Sequence, residues 1–187
     1  MAQQTLNRIM IIGASCSGKS TLARSLGARL CLPVVHIDPM YFREGWVQRP
    51  REETRALILD AIKAPQWVFE GNHSSTFDAR AERVDVIIVL ELGRVRRLLR
   101  TLWRSVRYYG RTRPDMAAGC PERFDWSFHF DWVWNYDQHS KHKSDDFVKR
   151  WIGTRPVIVL RGTKKVRKFL RNPQRYMRKV QSSFVET

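Results

Sequence analysis

The sequence has few cysteines, no long hydrophobic run and only 18 acidic residues against 34 basic ones. Its three cysteines, Cys16, Cys31 and Cys120, are odd in number and widely spaced, which fits neither a disulfide framework nor a zinc site. No stretch approaches the ~18 apolar residues of a membrane-spanning helix, and no secretory leader precedes the first apolar segment. We therefore expect reduced thiols, a cytoplasmic protein and no membrane partner.

The excess of basic over acidic residues is concentrated in one half of the chain. The formal net charge of the 187 residues is +16. Residues 1–90 contain 11 lysines and arginines against 9 acids, whereas residues 91–187 contain 23 against 9. Residues 161–179 alone hold nine cations and no acid. This asymmetry suits a polyanion, either phosphates in a site or nucleic acid along a surface, although a solvated basic face has the same pattern.

Residues 13–20 read GASCSGKS and match the phosphate-loop pattern G-x-x-x-x-G-K-[ST]. An apolar run of strand type, 9–12, precedes them, and a helical pattern follows. In this arrangement backbone N–H groups and the helix N-terminus bind phosphates, Lys19 reaches the β and γ phosphates, and the Ser20 hydroxyl ligates Mg²⁺. The motif predicts binding of a nucleoside triphosphate, ATP, with Mg²⁺. The nucleotide-binding candidates are Gly13, Ala14, Ser15, Cys16, Ser17, Gly18, Lys19, Ser20 and Thr21.

Strand-like segments alternate with helical patterns along the chain. This order predicts an α/β protein with a P-loop NTPase fold, in which helices flank a five-stranded parallel sheet. The most apolar segment, 84–91, should be central in that sheet. We predict a single domain over residues 1–187, with an arginine-rich lid at about 108–125 and basic C-terminal helices at 163–184. The strands are expected at 9–12, 33–38, 66–71, 84–91 and 156–160, and a helix at 50–63.

Acidic side chains end three of the predicted strands, namely Asp38, Glu70 and Glu91. Ligands of parallel sheets bind at the carboxyl ends of the strands, so these side chains should approach the crevice beside the phosphate loop. We assign Glu70, together with Ser20, to the Mg²⁺ site. The alternative for Glu70 is that it caps a turn.

Residues 94–109 have a clean helical pattern with one apolar and one basic side. We expect the apolar side to pack on the sheet. The basic side either lines the active site or faces water, because arginines without interleaved acids repel one another unless they meet an anion. At least two arginines of this helix and the lid should point into the nucleotide crevice. The apolar side holds Val95, Leu98, Leu99, Leu102, Trp103 and Val106, and the arginine candidates are Arg97, Arg100, Arg104, Arg107, Arg111 and Arg113.

Seven aromatic residues occupy even positions between 124 and 136. Alternation of this kind is typical of a strand, but the segment follows the predicted lid, where a P-loop kinase has a helix, and we predict a helix. The rings could stack on bases in a nucleic-acid groove, and packing in the core is the interpretation that we favour. They are Phe124, Trp126, Phe128, Phe130, Trp132, Trp134 and Tyr136.

Six short segments between residues 13 and 122 form a recognisable set: 13–20, 36–38, 45–47, 70–72, 111–116 and 119–122. The acid-glycine turn at 70–72 and the arginine-rich lid resemble those of adenylate-kinase-like enzymes. The whole set resembles the bacterial DNA topology modulation proteins, which are adenylate-kinase-related P-loop proteins. This resemblance implies a five-stranded parallel sheet, ATP with Mg²⁺, and a lid that closes over the phosphates. It does not supply an acceptor.

One departure from adenylate kinases concerns the acceptor. Those enzymes have a Thr-Gly turn after the second strand, whereas this chain has Asp38. A carboxylate beside the γ-phosphate suits a hydroxyl acceptor, whose proton must leave, and it resembles the arrangement in shikimate and gluconate kinases. Asp38 could instead bind Mg²⁺ through water or cap the following turn. The catalytic candidates are Lys19, Asp38, Arg104, Arg111 and Arg113.

Three functions remain open at this point. The first is an ATP-dependent phosphotransferase that acts on a small molecule or a nucleotide. The second is a nucleic-acid-binding ATPase that affects DNA topology, to which the basic second half would contribute. The third is a regulatory nucleotide-binding module without turnover, against which the set of candidate catalytic side chains argues. The acceptor is not predicted, and no Asn-Lys-x-Asp guanine motif is present.

Overall fold

A computed structural model describes residues 6–185 of the chain. Within this range, no helix combines the length and apolarity that crossing a bilayer requires. The strands are β1 (Arg8–Gly13), β2 (Val34–His36), β3 (Phe42–Arg43), β4 (Val47–Gln48), β5 (Trp67–Glu70), β6 (Val86–Glu91) and β7 (Val157–Arg161). The helices are α1 (Lys19–Leu30), α2 (Asp38–Tyr41), α3 (Arg51–Ala61), α4 (Phe77–Arg83), α5 (Arg94–Arg107), α6 (Tyr136–His139), α7 (Lys141–Trp151), α8 (Gly162–Arg171) and α9 (Pro173–Val185).

The predicted α/β fold and its five-stranded parallel sheet are confirmed. The strand order is β2-β5-β1-β6-β7, and every neighbouring pair is parallel. β1 occupies the middle, so the apolar strand β6 is an interior strand beside the centre rather than the central one. Strands β3 and β4 form a separate antiparallel hairpin. The carboxyl ends of β1, β2 and β5 therefore lie side by side, where the phosphate loop and two of the acids are found.

Both faces of the sheet are covered by apolar side chains, which is why its strands are apolar on both sides. On one face α1, α8 and α9 contribute Leu26, Phe169 and Met177 to the core. On the other face α3 and α7 contribute Ile58 and Phe147. Burial on both faces fixes the strand ends, and with them the loops that build the site.

The prediction that the apolar side of α5 packs on the sheet is wrong. The side of α5 that is buried is polar and holds Arg97, Thr101 and Ser105. It contacts the segment Phe128–Trp134 rather than presenting its leucines to a core. The opposite, exposed side holds Val95, Leu99, Trp103 and Val106, which are 56%, 60%, 61% and 75% exposed.

The polar side of α5 is buried because Arg97 and Ser105 have hydrogen-bonding partners there. The Arg97 guanidinium, 3% exposed, donates to the Leu92 carbonyl at 2.9 Å and to both carboxylate oxygens of Asp137 at 3.2 and 3.0 Å. Ser105 shares a hydrogen bond of 3.3 Å with His129. A buried charge is tolerated where it is paired and hydrogen-bonded, and these partners lie far along the chain.

Most of the aromatic segment is helical, but four of its seven rings are exposed rather than packed in the core. Residues Phe128–Trp134 form a π-helix, and α6 follows it. The wider turn of a π-helix changes which positions share a face, and His129 and Val133 are the buried ones. Trp126 stacks on Phe130 with ring centroids 5.5 Å apart. The rings of Phe124, Trp126, Phe130 and Trp132 are 42%, 63%, 42% and 51% exposed, which corrects the core-packing interpretation for these four.

Candidate active site

The phosphate loop connects β1 to α1 at the middle of the sheet. Gly13 ends β1 with φ +143°, and a Cβ atom at this position would lie 2.3 Å from the Leu90 carbonyl oxygen. Only glycine avoids that clash and adopts that conformation without strain. Gly18, with φ +104°, precedes the first turn of α1. The glycines of the motif are thus required by the geometry of the loop.

Cationic side chains converge on the carbonyl and thiol groups of this loop. The Lys19 ammonium donates to the Ala14 carbonyl at 2.9 Å. From α5, the Arg100 guanidinium donates to the Ser17 carbonyl at 2.9 Å, and that of Arg104 approaches the Cys16 sulfur at 3.3 Å. Together with the N-terminus of α1, they make this loop an electropositive site for phosphates.

Asn72 holds the start of the loop in place. Its amide nitrogen donates to the Gly13 carbonyl at 2.7 Å, and its amide oxygen accepts from the Gly13 N–H at 3.2 Å. Asn72 follows β5 through Gly71, so the end of this strand is tied to the end of β1. No role for Asn72 was predicted from the sequence. The signal that the sequence offers for it is its position directly after the acid-glycine turn.

Two carboxylates stand at neighbouring strand ends. Asp38 begins α2 just after β2, and Glu70 ends β5, where its carboxylate is 2.6 Å from Nδ1 of His36. The protein that surrounds Asp38 raises the pKa of its carboxyl above the usual range, and the charge of Glu70 raises it further, whereas Lys19 and Arg113 oppose the rise. The Asp38 side chain is still exposed to solvent, so its desolvation by the protein is incomplete.

The predicted lid carries two acids that pair with arginines of the cavity lining. Glu122, 5% exposed, pairs with Arg104 at 3.0 Å and with Arg113 at 2.8 Å. Asp115 pairs with Arg113 at 3.1 Å and with Arg24 of α1 at 3.3 Å. Burial opposes ionisation of Asp115, but Arg113, the Ser20 hydroxyl and Arg24 outweigh it and lower the pKa of this carboxyl below its usual range.

The predicted arginine candidates are distributed among three environments. Arg100, Arg104 and Arg113 line the cavity beside the phosphate loop. Arg97 is buried against Asp137, and Arg107 is exposed over the Trp103 ring. Arg111 is exposed and lies outside the cavity lining, so the structure does not bring this candidate to the site.

A cavity of about 1410 Å³ joins these groups to a second set of side chains. The second set comes mainly from α2, the β3–β4 hairpin and the residues that follow it, and it combines aromatic rings with cations. Burial lowers the pKa of His73, and the nearby guanidinium of Arg80 adds to this effect. No sequence motif predicts a role in the site for these residues. They are Tyr41, Phe42, Trp46, Arg49, Arg51 and His73.

The proposed Mg²⁺ ligands, Ser20 and Glu70, both line this cavity. Within residues 6–185, no three His, Cys, Asp or Glu side chains are grouped so as to hold a metal ion. Mg²⁺ in nucleotide sites takes one or two protein oxygens and completes its shell with phosphate oxygens and waters. A hydroxyl and a carboxylate beside a phosphate loop have the donor chemistry that this mode of binding requires.

Comparison with known proteins shows the fold. No family model matches the chain, and no curated protein matches its sequence. It is similar in structure to a gluconokinase from Sinorhizobium meliloti 1021, with a TM-score of 0.58 and 12% identity over 98% of both chains. It is also similar to the shikimate kinase from Acinetobacter baumannii solved with shikimate, with a TM-score of 0.54 and 14% identity over 92% of this chain and 93% of that one.

The shikimate kinase from Bacteroides thetaiotaomicron is similar to the same degree, with a TM-score of 0.54 and 13% identity over 91% of this chain and 98% of that one. At these identities the likeness is one of fold. The chain has the P-loop kinase fold, and membership of the DNA topology modulation family remains a prediction from the motifs.

Proposed function

We propose that the protein is an ATP-dependent phosphotransferase that transfers the γ-phosphoryl group to a hydroxyl of a small molecule or nucleoside-type acceptor. The observation that carries this proposal is the position of Asp38. Its carboxyl, with a raised pKa, faces the same cavity as Lys19, the phosphate loop and the lid arginines. A carboxylate in this position suits an acceptor that must lose a proton. The P-loop kinase fold supports the same conclusion.

The phosphate side of the site would neutralise and orient charge. Lys19 binds the β and γ phosphates, while Arg104 and Arg113 stabilise the charge that spreads over the phosphoryl oxygens during transfer. Ser20 and Glu70 would hold Mg²⁺, which supplies further neutralisation of the phosphates when it is bound. Glu122 keeps both arginines positioned before the nucleotide arrives.

On the acceptor side, Asp38 accepts the proton of the acceptor hydroxyl. The hydroxyl oxygen forms a bond to the γ-phosphorus as the bond between that phosphorus and the departing ADP oxygen breaks. Because the pKa of Asp38 is raised, its carboxylate is a stronger base than a solvated aspartate. The second set of cavity side chains would bind the remainder of the acceptor.

A thermal-shift screen tests this proposal and searches for the acceptor. A ligand that binds only the folded state raises the melting temperature, by an amount set by its concentration relative to its dissociation constant. We expect ATP with Mg²⁺ to raise the melting temperature, and a hydroxylated metabolite to raise it further only when a nonhydrolysable ATP analogue is present. A protein that is stabilised by no nucleoside triphosphate would contradict the proposal.

The second candidate function is a nucleic-acid-binding ATPase that affects DNA topology. The observation in its favour is that all nine lysines and arginines of residues 161–179, on β7, α8 and α9, are exposed. Such a surface attracts any polyanion at low salt, so DNA binding in dilute buffer would not establish the function.

We expect weak DNA binding that falls steeply with salt and does not stimulate ATP hydrolysis. Phosphate contacts alone lose orders of magnitude in affinity between low and physiological salt. Fluorescence anisotropy against salt concentration measures this, with Lys164, Lys165 and Arg167 changed to glutamine in one variant and the exposed Arg29, Lys63 and Lys149 in its control. Submicromolar binding near about 150 mM salt, with DNA-stimulated turnover lost only in the first variant, would favour the second candidate.

A further inference from the structure

Two segments that both contribute side chains to the cavity lining are hydrogen-bonded to each other. We call residues 42–48, which comprise β3, β4 and the turn between them, the flap. The flap follows α2, which begins with Asp38. Facing it is part of the lid, residues 119–122, which precedes the aromatic segment. These segments are more than 70 residues apart in the chain, so their contact is a tertiary feature.

Backbone and side-chain hydrogen bonds join the flap to the lid. The Gly45 N–H donates to the Gly119 carbonyl at 2.9 Å, and the Trp46 indole N–H donates to the Pro121 carbonyl at 2.9 Å. The Cys120 thiol, 1% exposed, accepts from the Trp46 N–H at 3.4 Å and donates to the Arg43 carbonyl at 3.2 Å. We call this set of contacts the latch.

The backbone of the flap is shaped for these contacts. Trp46 has φ +64°, a left-handed conformation that a bulky side chain rarely adopts. A Cβ atom on Gly119 would lie 2.2 Å from Cγ of Glu44, so the lid backbone lies directly against the flap side chain. A strained tryptophan persists where surrounding contacts hold it, and here the latch supplies those contacts.

Each half of the latch is connected to one half of the site. On the lid side, Glu122 follows Pro121 directly and pairs with Arg104 and Arg113, which lie beside the phosphate loop. On the flap side, the Arg49 N–H donates to the Tyr41 carbonyl at 2.8 Å, which ties the end of the flap to α2 and hence to Asp38. The latch therefore lies between the nucleotide side and the acceptor side.

We propose that Trp46 and Cys120 are positioning residues that make closure of the lid over the nucleotide and closure of the flap over the acceptor a single event. This inference rests on the proposed function and extends it. If the flap can open only when the lid also opens, a nucleotide that favours the closed lid must suppress opening of the flap. By reciprocity, an acceptor that holds the flap closed raises affinity for the nucleotide by the same factor.

Hydrogen exchange at individual amides, with a nonhydrolysable ATP analogue and Mg²⁺ but no acceptor, tests this coupling. We expect the analogue to slow exchange of the Gly45 and Trp46 amides about tenfold, within the usual range for coupled sites, in parallel with the phosphate loop and the lid. The double variant Trp46→Phe, Cys120→Ala should keep the response of the loop and lid and lose that of the flap. Each single variant should lose part of the flap response. The single variants replace the double variant in this test if the double variant does not fold.

Val47→Ala is the matched control, because Val47 is in the same hairpin, is 56% exposed and makes none of the latch hydrogen bonds described above. It should respond as the unmodified protein does.

A merely structural role for Trp46 would change exchange of the flap in the free protein without changing its response to the analogue. If exchange of the flap amides does not change with the analogue, or changes equally in the double variant, the proposed coupling through the latch is wrong. The kinase proposal would not be affected by either result. An analogue that leaves the phosphate-loop amides unaffected would overturn both.

Discussion

Replacing Lys19 by alanine should reduce phosphoryl transfer by roughly 10²- to 10⁴-fold, which corresponds to about 3 to 5 kcal/mol of transition-state stabilisation. Lys19 is the one cationic side chain that the GASCSGKS motif supplies. In the free protein its ammonium group is held at the Ala14 carbonyl, at the point where the cations of the site converge. Steady-state turnover and calorimetric binding of Mg·ATP together measure the loss.

Lys63→Ala is the control for the loss of a lysine, because Lys63 is exposed and pairs only locally with Asp60. It should keep full activity. Unchanged ATP affinity and turnover in Lys19→Ala would mean that the glycine motif of this chain does not operate as a phosphate loop.

Asp38→Asn should reduce transfer to a hydroxyl acceptor by roughly 10²-fold or more while changing ATP affinity little. The amide keeps the shape of the side chain but cannot accept the proton. Single-turnover transfer and equilibrium binding separate these two quantities. Asp60→Asn, at an exposed carboxylate, is the matched control and should change neither phosphoryl transfer nor ATP affinity. Transfer that survives in Asp38→Asn would indicate a phosphate acceptor, which needs no base.

The same residue sets the direction of the pH dependence. The base is active when deprotonated, and desolvation by the surrounding protein together with the charge of Glu70 raises the pKa of its carboxyl above the usual aspartate range. Activity should therefore fall as the pH is lowered through this raised pKa, at a pH higher than a solvated aspartate would produce. The residual activity of Asp38→Asn should lack this acidic limb.

The sheet and the phosphate loop were predictable because their signals are local. An apolar strand, a glycine motif and a helix with leucines four apart follow one another within residues 9–30. Short apolar segments that alternate with helices then define a parallel sheet, and its carboxyl ends bring Asp38 and Glu70 to the loop. Both acids line the cavity, as that argument requires.

The orientation of α5 was not predictable from its own pattern. The periodicity separates an apolar from a basic side, but it does not say which side finds partners. Arg97 is buried because Asp137, 40 residues further along the chain, pairs with it. Exposed arginines on an isolated helix and arginines that meet distant acids look identical in sequence.

The same limit of sequence-based prediction applies to the arginines of the predicted lid. Arg111 and Arg113 are two residues apart in one basic segment, yet Arg113 meets Glu122 and Asp115 whereas Arg111 is exposed. The acids that select between them, and the contact of Trp46 with the lid, depend on how the chain closes on itself. Composition marked the segment as basic, but it did not indicate which of its arginines would find acidic partners.

The identity of the phosphorylated product tests most directly whether the protein transfers the γ-phosphoryl group to a hydroxyl with Asp38 as the base. Phosphorus NMR of reactions containing Mg·ATP, with either a mixture of hydroxylated metabolites or a mixture of nucleoside monophosphates, distinguishes a phosphate monoester from a phosphoanhydride. We expect a new monoester resonance that grows in step with ADP in the unmodified protein and not in Asp38→Asn. A new nucleoside diphosphate formed equally by both proteins, or release of inorganic phosphate alone in every mixture, would contradict it.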